Sequence, residues 1–144
     1  MMPAIEAARP TDLDAIDRIL THYHLPLDGL REHLATTLVA RENGAVVGSA
    51  ALELYEDGAL LRSVAVAPGR EHAGLGRTLT EAALQLAGHL HVSTVFLLTT
   101  TADHYFPRFG FVRIDRAEVP VTVQTSVEFT SACPSSATVM RKRL

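Results

Sequence analysis

The stretch Val64-Ala65-Val66-Ala67-Pro68-Gly69-Arg70-Glu71-His72-Ala73-Gly74-Leu75-Gly76-Arg77 holds the most informative chemistry in the chain. An apolar run stopped by Pro68 passes through a loop into a long amphipathic segment. The first four N–H groups of a helix lack internal partners and point outward with the positive end of the helix dipole. Such a junction suits an anion. Gly74 and Gly76 leave no Cβ where a diphosphate would approach, and they allow the positive φ that turns several amides inward. A Gly-x-Gly alone is also a common structural turn. No Lys-Ser/Thr follows these glycines as a P-loop requires, and Leu79 or Thr80 stands where a third Rossmann glycine would be.

Two charged residues lie in otherwise apolar runs. Glu53 sits among Ala50, Ala51, Leu52 and Leu54, and Arg62 lies in the next run, within Leu60-Leu61-Arg62-Ser63-Val64. A carboxylate lining a cleft can draw a proton if burial raises its pKa; strand alternation could equally turn it to solvent. The planar fork of Arg62 suits a substrate carboxylate, and a structural ion pair with Glu53 is the alternative. His22-x-His24 and His89-x-His91 fall near expected helix ends, where the dipole accounts for them without metal. Cys133 is the single cysteine, which excludes an internal disulfide and a Cys-rich zinc site and fits a reducing compartment. It reads as a small buried hydrophobe.

These residues are positioned by one run of elements. Ala4 to Ala8 is expected as a strand, followed by a helix opened by a capping pair, Thr11 and Asp14, with Leu13, Ile16, Ile19 and Leu20 on one face. A short helix is expected from Asp28 to Leu34. Strands Thr37 to Arg41 and Ala45 to Tyr55 flank an Asn43-Gly44 hairpin turn, and Leu60 to Ala67 follows a turn at Glu56-Asp57-Gly58. Leu75, Leu79, Ala82, Ala83, Leu86 and Leu90 then form one helical stripe over Gly76 to His89. Val95 to Thr99 is a continuous apolar strand, expected to be central. A helix around Ala102 to Arg108, a strand Phe111 to Ile114, a helix Val121 to Glu128 and a strand Thr138 to Arg143 complete the order. The pattern predicts one domain, residues 1–144, with an α/β (α+β) fold: a mixed, mostly antiparallel sheet flanked by helices.

The frame Val64, Val66, Pro68, Gly74 and Gly76 resembles the GNAT acetyltransferase superfamily, whose acyl-CoA loop reads Arg/Gln-x-x-Gly-x-Gly/Ala after a Val-rich strand and Pro. Glu71 departs from it, standing where Arg or Gln is usual. Tyr105-Phe106-Pro107-Arg108-Phe109-Gly110-Phe111 is similar to the aromatic-x-x-x-Gly-Phe segment of the same family. Nearly the whole chain resembles a narrower group, bacterial GNAT proteins associated with arsenic resistance and related to the acetyltransferase domain of N-acetylglutamate synthases. The matching stretches are 60–68, 97–102 and the tail from Glu128-Phe129 through Cys133 to Met140.

The resemblance implies an acetyl-CoA-dependent N-acetyltransferase acting on a small amino-acid-like amine by direct attack in a ternary complex. It implies pantetheine lying like an added strand along Val64, Ala65 and Val66, with a backbone N–H there facing the thioester oxygen. His72, Ala73, Gly74, Leu75, Gly76 and Arg77 would bind the diphosphate. The family's usual acid, a Tyr four residues before the Gly of the Gly-Phe pair, is Phe106 here. Tyr105 is adjacent but points about 100° away on a helix. Thr99, at the end of the central strand, is the second candidate, because related glutamate-acetylating domains carry a hydroxyl there; it could instead bond only to nearby backbone. Glu53 is the candidate base and Arg62 the candidate substrate-binding residue.

A non-catalytic acyl-CoA-binding regulatory domain and a peptide N-terminal acetyltransferase stay open as alternatives, the first motivated by Glu71 and Phe106. The apolar fraction of 47% is that of a folded chain, and the net charge of -3 provides no broad positive field for nucleic acid. Arg141, Lys142 and Arg143 form a short terminal basic run, read as solvated. No stretch reaches the roughly eighteen apolar residues of a membrane span, and no charged leader precedes an apolar one. The expectation is a cytoplasmic protein with acetyl-CoA as co-substrate, no metal, a small-molecule amine as partner, and a homodimer open as its assembly.

Overall fold

A computed structural model of the chain describes residues 3–71 and 73–144. Its strands are β1 (Ala4–Ala7), β2 (Thr37–Glu42), β3 (Ala45–Tyr55), β4 (Gly58–Val66), β5 (Thr94–Thr99), β6 (Val112–Ile114) and β7 (Thr138–Arg143), and its α-helices are α1 (Leu13–His22), α2 (Leu75–His89) and α3 (Val121–Gln124). The strands form one seven-stranded sheet in the order β1-β2-β3-β4-β5-β7-β6. Only the β4–β5 pairing is parallel; the rest are antiparallel. The mixed, mostly antiparallel sheet with flanking helices is the expected fold class.

Strand alternation assigns the two faces. Ala50, Leu52, Ala59 and Leu61 pack with Leu75, Leu79, Ala83 and Ala87 of α2. On the other face Ala51 and Ala65 pack with Leu13, Ile16, Ile19 and Leu20 of α1. Further along that face Leu60, Phe96 and Val139 meet Val119 and Val123 of the tail. Both faces of the central strands are therefore covered, which is why β3 and β4 read as nearly unbroken apolar runs.

Helix α2 lies unusually close to β3 at Gly48, where a Cβ would stand 2.7 Å from Leu79 Cδ1 and 3.1 Å from the Ala65 carbonyl oxygen. Gly48→Ala is expected to cost about 1–3 kcal/mol, because overpacking displaces the helix. Urea unfolding measures it, and an unchanged midpoint would refute the close approach.

Four local expectations need correction. Helix α1 is entered through Asp12, not through the Thr11 and Asp14 pair: Asp12 Oδ2 accepts the Arg9 N–H at 2.9 Å and an Arg41 Nη2 bond at 2.8 Å. In place of a helix from Asp28 to Leu34 there is 3₁₀ structure over Arg31–Thr36, broken at His33 (φ −115°, ψ 21°). In place of a helix over 102–108 there is one 3₁₀ turn, Phe106–Phe109, because Pro107 removes a donor. The expected 121–128 helix stops at Gln124, and a wide turn, Glu128–Ala132, follows, closed by Cys133 N–H on the Glu128 carbonyl. These segments are bonded to the body by side chains, so periodicity misreads them. Among the described residues no helix is long and apolar enough to cross a membrane, and no cluster of three His, Cys, Asp or Glu is placed to hold a metal.

Candidate active site

Strands β4 and β5 pair only at Ala59↔Val95 and Leu60↔Phe96. Beyond Leu60 the two strands part, and the outer edge of β4 faces a gap. A bulge sits at this divergence: Ala51 pairs with Arg62 and Ser49 with Ala65, so Ser63 and Val64 together face Ala50. Ser63 has φ 58°, and its carbonyl accepts the Ser49 hydroxyl at 2.7 Å. An extra residue with positive φ re-aims the backbone of the following residues. Ala67 N–H bonds back to the Val47 carbonyl at 2.8 Å. Alternation then turns the N–H and C=O of Val66 away from β3, toward the gap.

At the end of β4 the chain turns through Gly69 (φ 89°) and Gly74 (φ 81°) into α2. Gly74 is the N-cap, and the first helical bond runs from Thr78 N–H to the Gly74 carbonyl. The amides of Leu75, Gly76 and Arg77 therefore have no partner within the helix. No acidic residue occupies that first turn. Ala73 leads into it, and His72 lies outside the described residues.

Across the gap, Thr99 ends β5, and its Oγ1 accepts the N–H groups of Ala102 (2.9 Å) and Thr101 (3.3 Å). Its role of bonding nearby backbone is thus realised, while its own O–H keeps a donor. Phe106 is buried in the α2-side core. Tyr105 instead reaches the first turn of α2: a Cβ on Gly76 would stand 3.3 Å from its hydroxyl. Burial raises its pKa, opposed by the Thr80 hydroxyl and the charges of Arg108 and Arg77. The Arg108 guanidinium lies over the Tyr105 ring, 4.6 Å from its centroid.

Glu53 and Arg62 lie on the opposite face of the sheet, fully buried. Of the two alternatives for Arg62, the structure displays the ion pair: Nη1 is 2.8 Å from Glu53 Oε2. Nη1 also donates to the Asp28 carbonyl (2.6 Å), Nη2 to the Pro26 carbonyl (3.1 Å), and Nε to Ser63 Oγ (3.1 Å), with Glu128 Oε2 at 3.3 Å. Arg62 thus ties the bulge, the 26–28 segment and the tail together, and its fork is occupied.

The solvent alternative for Glu53 fails because the tail covers this face. Burial raises its pKa, but bonds from Ser126, Tyr55 and Arg62 outweigh that and hold it below the ordinary value. Both Glu53 oxygens are engaged, Oε1 by the Tyr55 hydroxyl and Oε2 by Arg62, in a face closed to solvent. The Tyr55 hydroxyl donates to Glu53 Oε1 at 2.5 Å. His33 Nε2 lies 3.8 Å from the same oxygen.

Sequence reasoning missed Glu128, Ser126, Tyr55, Tyr23 and the bulge residue Ser63 as parts of this region. Nothing in their local patterns marks them; Glu128 and Tyr23 acquire their partners from distant segments, while Tyr55 and Ser63 bond to Glu53 and Arg62 close by in the chain. Cys133 is half-buried with its thiol pushed up to about 12 by burial and by the neighbouring Glu128 charge. The Glu128 carboxyl is pushed up to about 7, chiefly by burial and also by the charge of Glu53, against the pull of Arg62 and a bond from Cys133.

Because the folded state holds the Glu128 proton more tightly than an unfolded chain titrating near 4.5, its contribution is fully present below pH 4.5. That contribution is lost as pH rises toward about 7. Glu128→Gln never ionises, so it is expected to be more stable than the parent by about 3 kcal/mol at pH 8 and equal to it at pH 4. Melting curves at the two pH values test this, and a variant less stable at pH 8 would reverse the sign.

The strand pair that parts beyond Leu60, the bulge at Ser63 and the glycine-capped start of α2 mark out a candidate channel along the outer edge of β4. The model of the acetyltransferase (GNAT) domain family matches residues 33–113, from β2 into β6, and takes in all three features. The chain belongs to the GNAT acetyltransferase family. Among its relatives, an amino-acid acetyltransferase of Mycobacterium tuberculosis is 32% identical over 133 residues, covering 85% of this chain and 74% of the relative. The crystal structure of Rv2747 from the same organism, solved in complex with CoA, superposes with a TM-score of 0.84 at 28% identity over 99% of both chains. An N-acetylglutamate synthase from Neisseria gonorrhoeae, solved with coenzyme A and N-acetylglutamate, gives 0.84 at 22% identity. It shares the fold over 98% of this chain and 35% of its own length. As a GNAT protein the chain is an N-acetyltransferase, and in that family the co-substrate is acetyl-CoA.

Proposed function

We propose that this GNAT enzyme moves the acetyl group of acetyl-CoA onto the amine of a small amino-acid-like acceptor, by direct attack within a ternary complex. The observation carrying this reading is the outer edge of β4, unpaired with β5 beyond Leu60, which leads through the 69–74 loop to the helix start whose amides lack partners within α2. Pantetheine lies along Val64, Ala65 and Val66, and the diphosphate rests on the amides from Ala73 to Arg77; His72, expected to take part, lies outside the described residues. The Val64 N–H, re-aimed by the bulge, faces the thioester oxygen and stabilises the charge that develops there.

The amine nitrogen attacks the thioester carbon; the C–N bond forms and the C–S bond breaks. The departing thiolate needs a proton. Tyr105 supplies it in this reading, because its hydroxyl stands at the mouth of the gap and burial keeps it protonated at neutral pH. Thr99 is the second candidate. Arg62 and Glu53 act by holding the acceptor-side wall rather than by touching the reacting atoms. The amine's proton then leaves to water. The relative from Mycobacterium tuberculosis supports an amino-acid acceptor. The resemblance to arsenic-resistance proteins adds arsenical and phosphinate amino-acid analogues to the candidates.

A thiol-release assay tests the reading, with acetyl-CoA offered against glutamate, other amino acids, those analogues and short peptides. Release with at least one free amino acid or analogue supports it. CoA binding without release on any acceptor would favour a non-catalytic binding domain, and release with peptides alone would replace the acceptor class.

A further inference from the structure

Tyr23 caps the C-terminal end of α1, and its side chain crosses to the far edge of β4. Its hydroxyl lies 2.7 Å from the Val66 carbonyl oxygen and 2.8 Å from Glu71 Oε1. The other Glu71 oxygen accepts the Gly69 N–H at 2.9 Å. One hydroxyl proton serves one acceptor at a time, so Tyr23 alternates between carbonyl and carboxylate. Burial, and then the Glu71 charge, push its pKa up to about 12, which keeps that proton in place.

The Val66 carbonyl is a gap-facing acceptor on β4, on the edge that an added strand would use. Glu71 precedes the first residue of α2 by four positions in the chain and holds its carboxylate on the Tyr23 hydroxyl and the Gly69 N–H; a diphosphate at that helix end would bring charge of the same sign. We propose that Tyr23 and Glu71 form a latch on the candidate cofactor channel: they engage the Val66 carbonyl and the Gly69 amide, so that acyl-CoA gains these groups only by displacing it. This rests on the acyl-CoA channel described above. The latch lowers apparent cofactor affinity by the free energy of breaking it. The segment after Tyr23 is in turn held to Arg62 through the Pro26 and Asp28 carbonyls.

Calorimetric titration of the full chain and its variants with CoA tests the latch. Tyr23→Phe removes the hydroxyl and keeps the ring; it is expected to lower the CoA Kd by roughly three- to ten-fold, the worth of one net hydrogen bond. Glu71→Gln is expected to tighten binding at least as much, because it also removes a repulsive charge. The double variant is expected to gain less than the product of the two single effects, since both open one device. Tightening by Glu71→Gln alone, with Tyr23→Phe unchanged or weaker, would overturn the latch and leave simple repulsion. Failure of the unsubstituted chain and every variant to bind CoA would instead remove the channel itself. A merely structural Tyr23 would lower the melting temperature without tightening CoA, which also overturns the proposal.

Discussion

Arg62→Ala is expected to destabilise the protein by about 3–5 kcal/mol, the cost of removing one partner from a buried ionic group. The residue meets Glu53, Glu128, Ser63 and the carbonyls of Pro26 and Asp28 with its side chain fully shielded. Its loss leaves two carboxyls facing one another in a dry interior and cuts the bonds between three chain segments. Glu53 would then pick up a proton, because the charge and hydrogen bonds holding its pKa down are gone in part. Arg62→Lys restores the charge but not the planar fork, and should recover only part of the loss. Urea unfolding at pH 7 measures both. A cost below 1 kcal/mol for the alanine variant would mean that the cluster does not hold the tail against the sheet.

The second large effect concerns chemistry rather than stability. Tyr105→Phe keeps the ring against Phe106 and Phe109 and under the Arg108 guanidinium while removing the phenol hydroxyl set beside Gly76 in the first turn of α2. With the best acceptor from the thiol-release screen, kcat is expected to fall by about a hundred-fold or more. KM for acetyl-CoA and the melting temperature should change little. Thr99→Val is the matched control. It removes the acceptor used by the Ala102 and Thr101 amides, so it should cost stability first. A large kcat loss for Thr99→Val with an active Tyr105→Phe would transfer the acid role to Thr99.

Glu71 and Phe106 both depart from family habit, and the structure gives each a physical setting. Phe106 is a core residue packed on Phe111, so a hydroxyl there would be buried among apolar side chains. Tyr105, on the neighbouring position of a tight 3₁₀ entry, reaches the channel instead. The one-residue offset does turn the two side chains apart: Phe106 enters the core, and the Tyr105 hydroxyl lies beside Gly76.

The sequence by itself determined the elements whose periodicity comes from burying one face or two: α1, α2 and the meander from β2 to β4, along with the glycine junction at 74–76. Those signals are local, since spacing along a strand or helix decides which side chains share a face. The resemblance added the family and the channel's place. Only the tertiary structure decided that Glu53 is buried and ion-paired, that Arg62 has no fork to offer, that Glu128 titrates near neutrality, and that Tyr23 crosses onto β4. The Arg62, Glu128 and Tyr23 contacts join segments 34 to 66 residues apart, and Glu53, paired with Arg62 on the neighbouring strand, is buried by the tail that those contacts hold in place. No spacing rule reports on such contacts: a buried charge is set by whatever covers it, and here the cover is an irregular tail whose turns are closed by side-chain and long-range bonds.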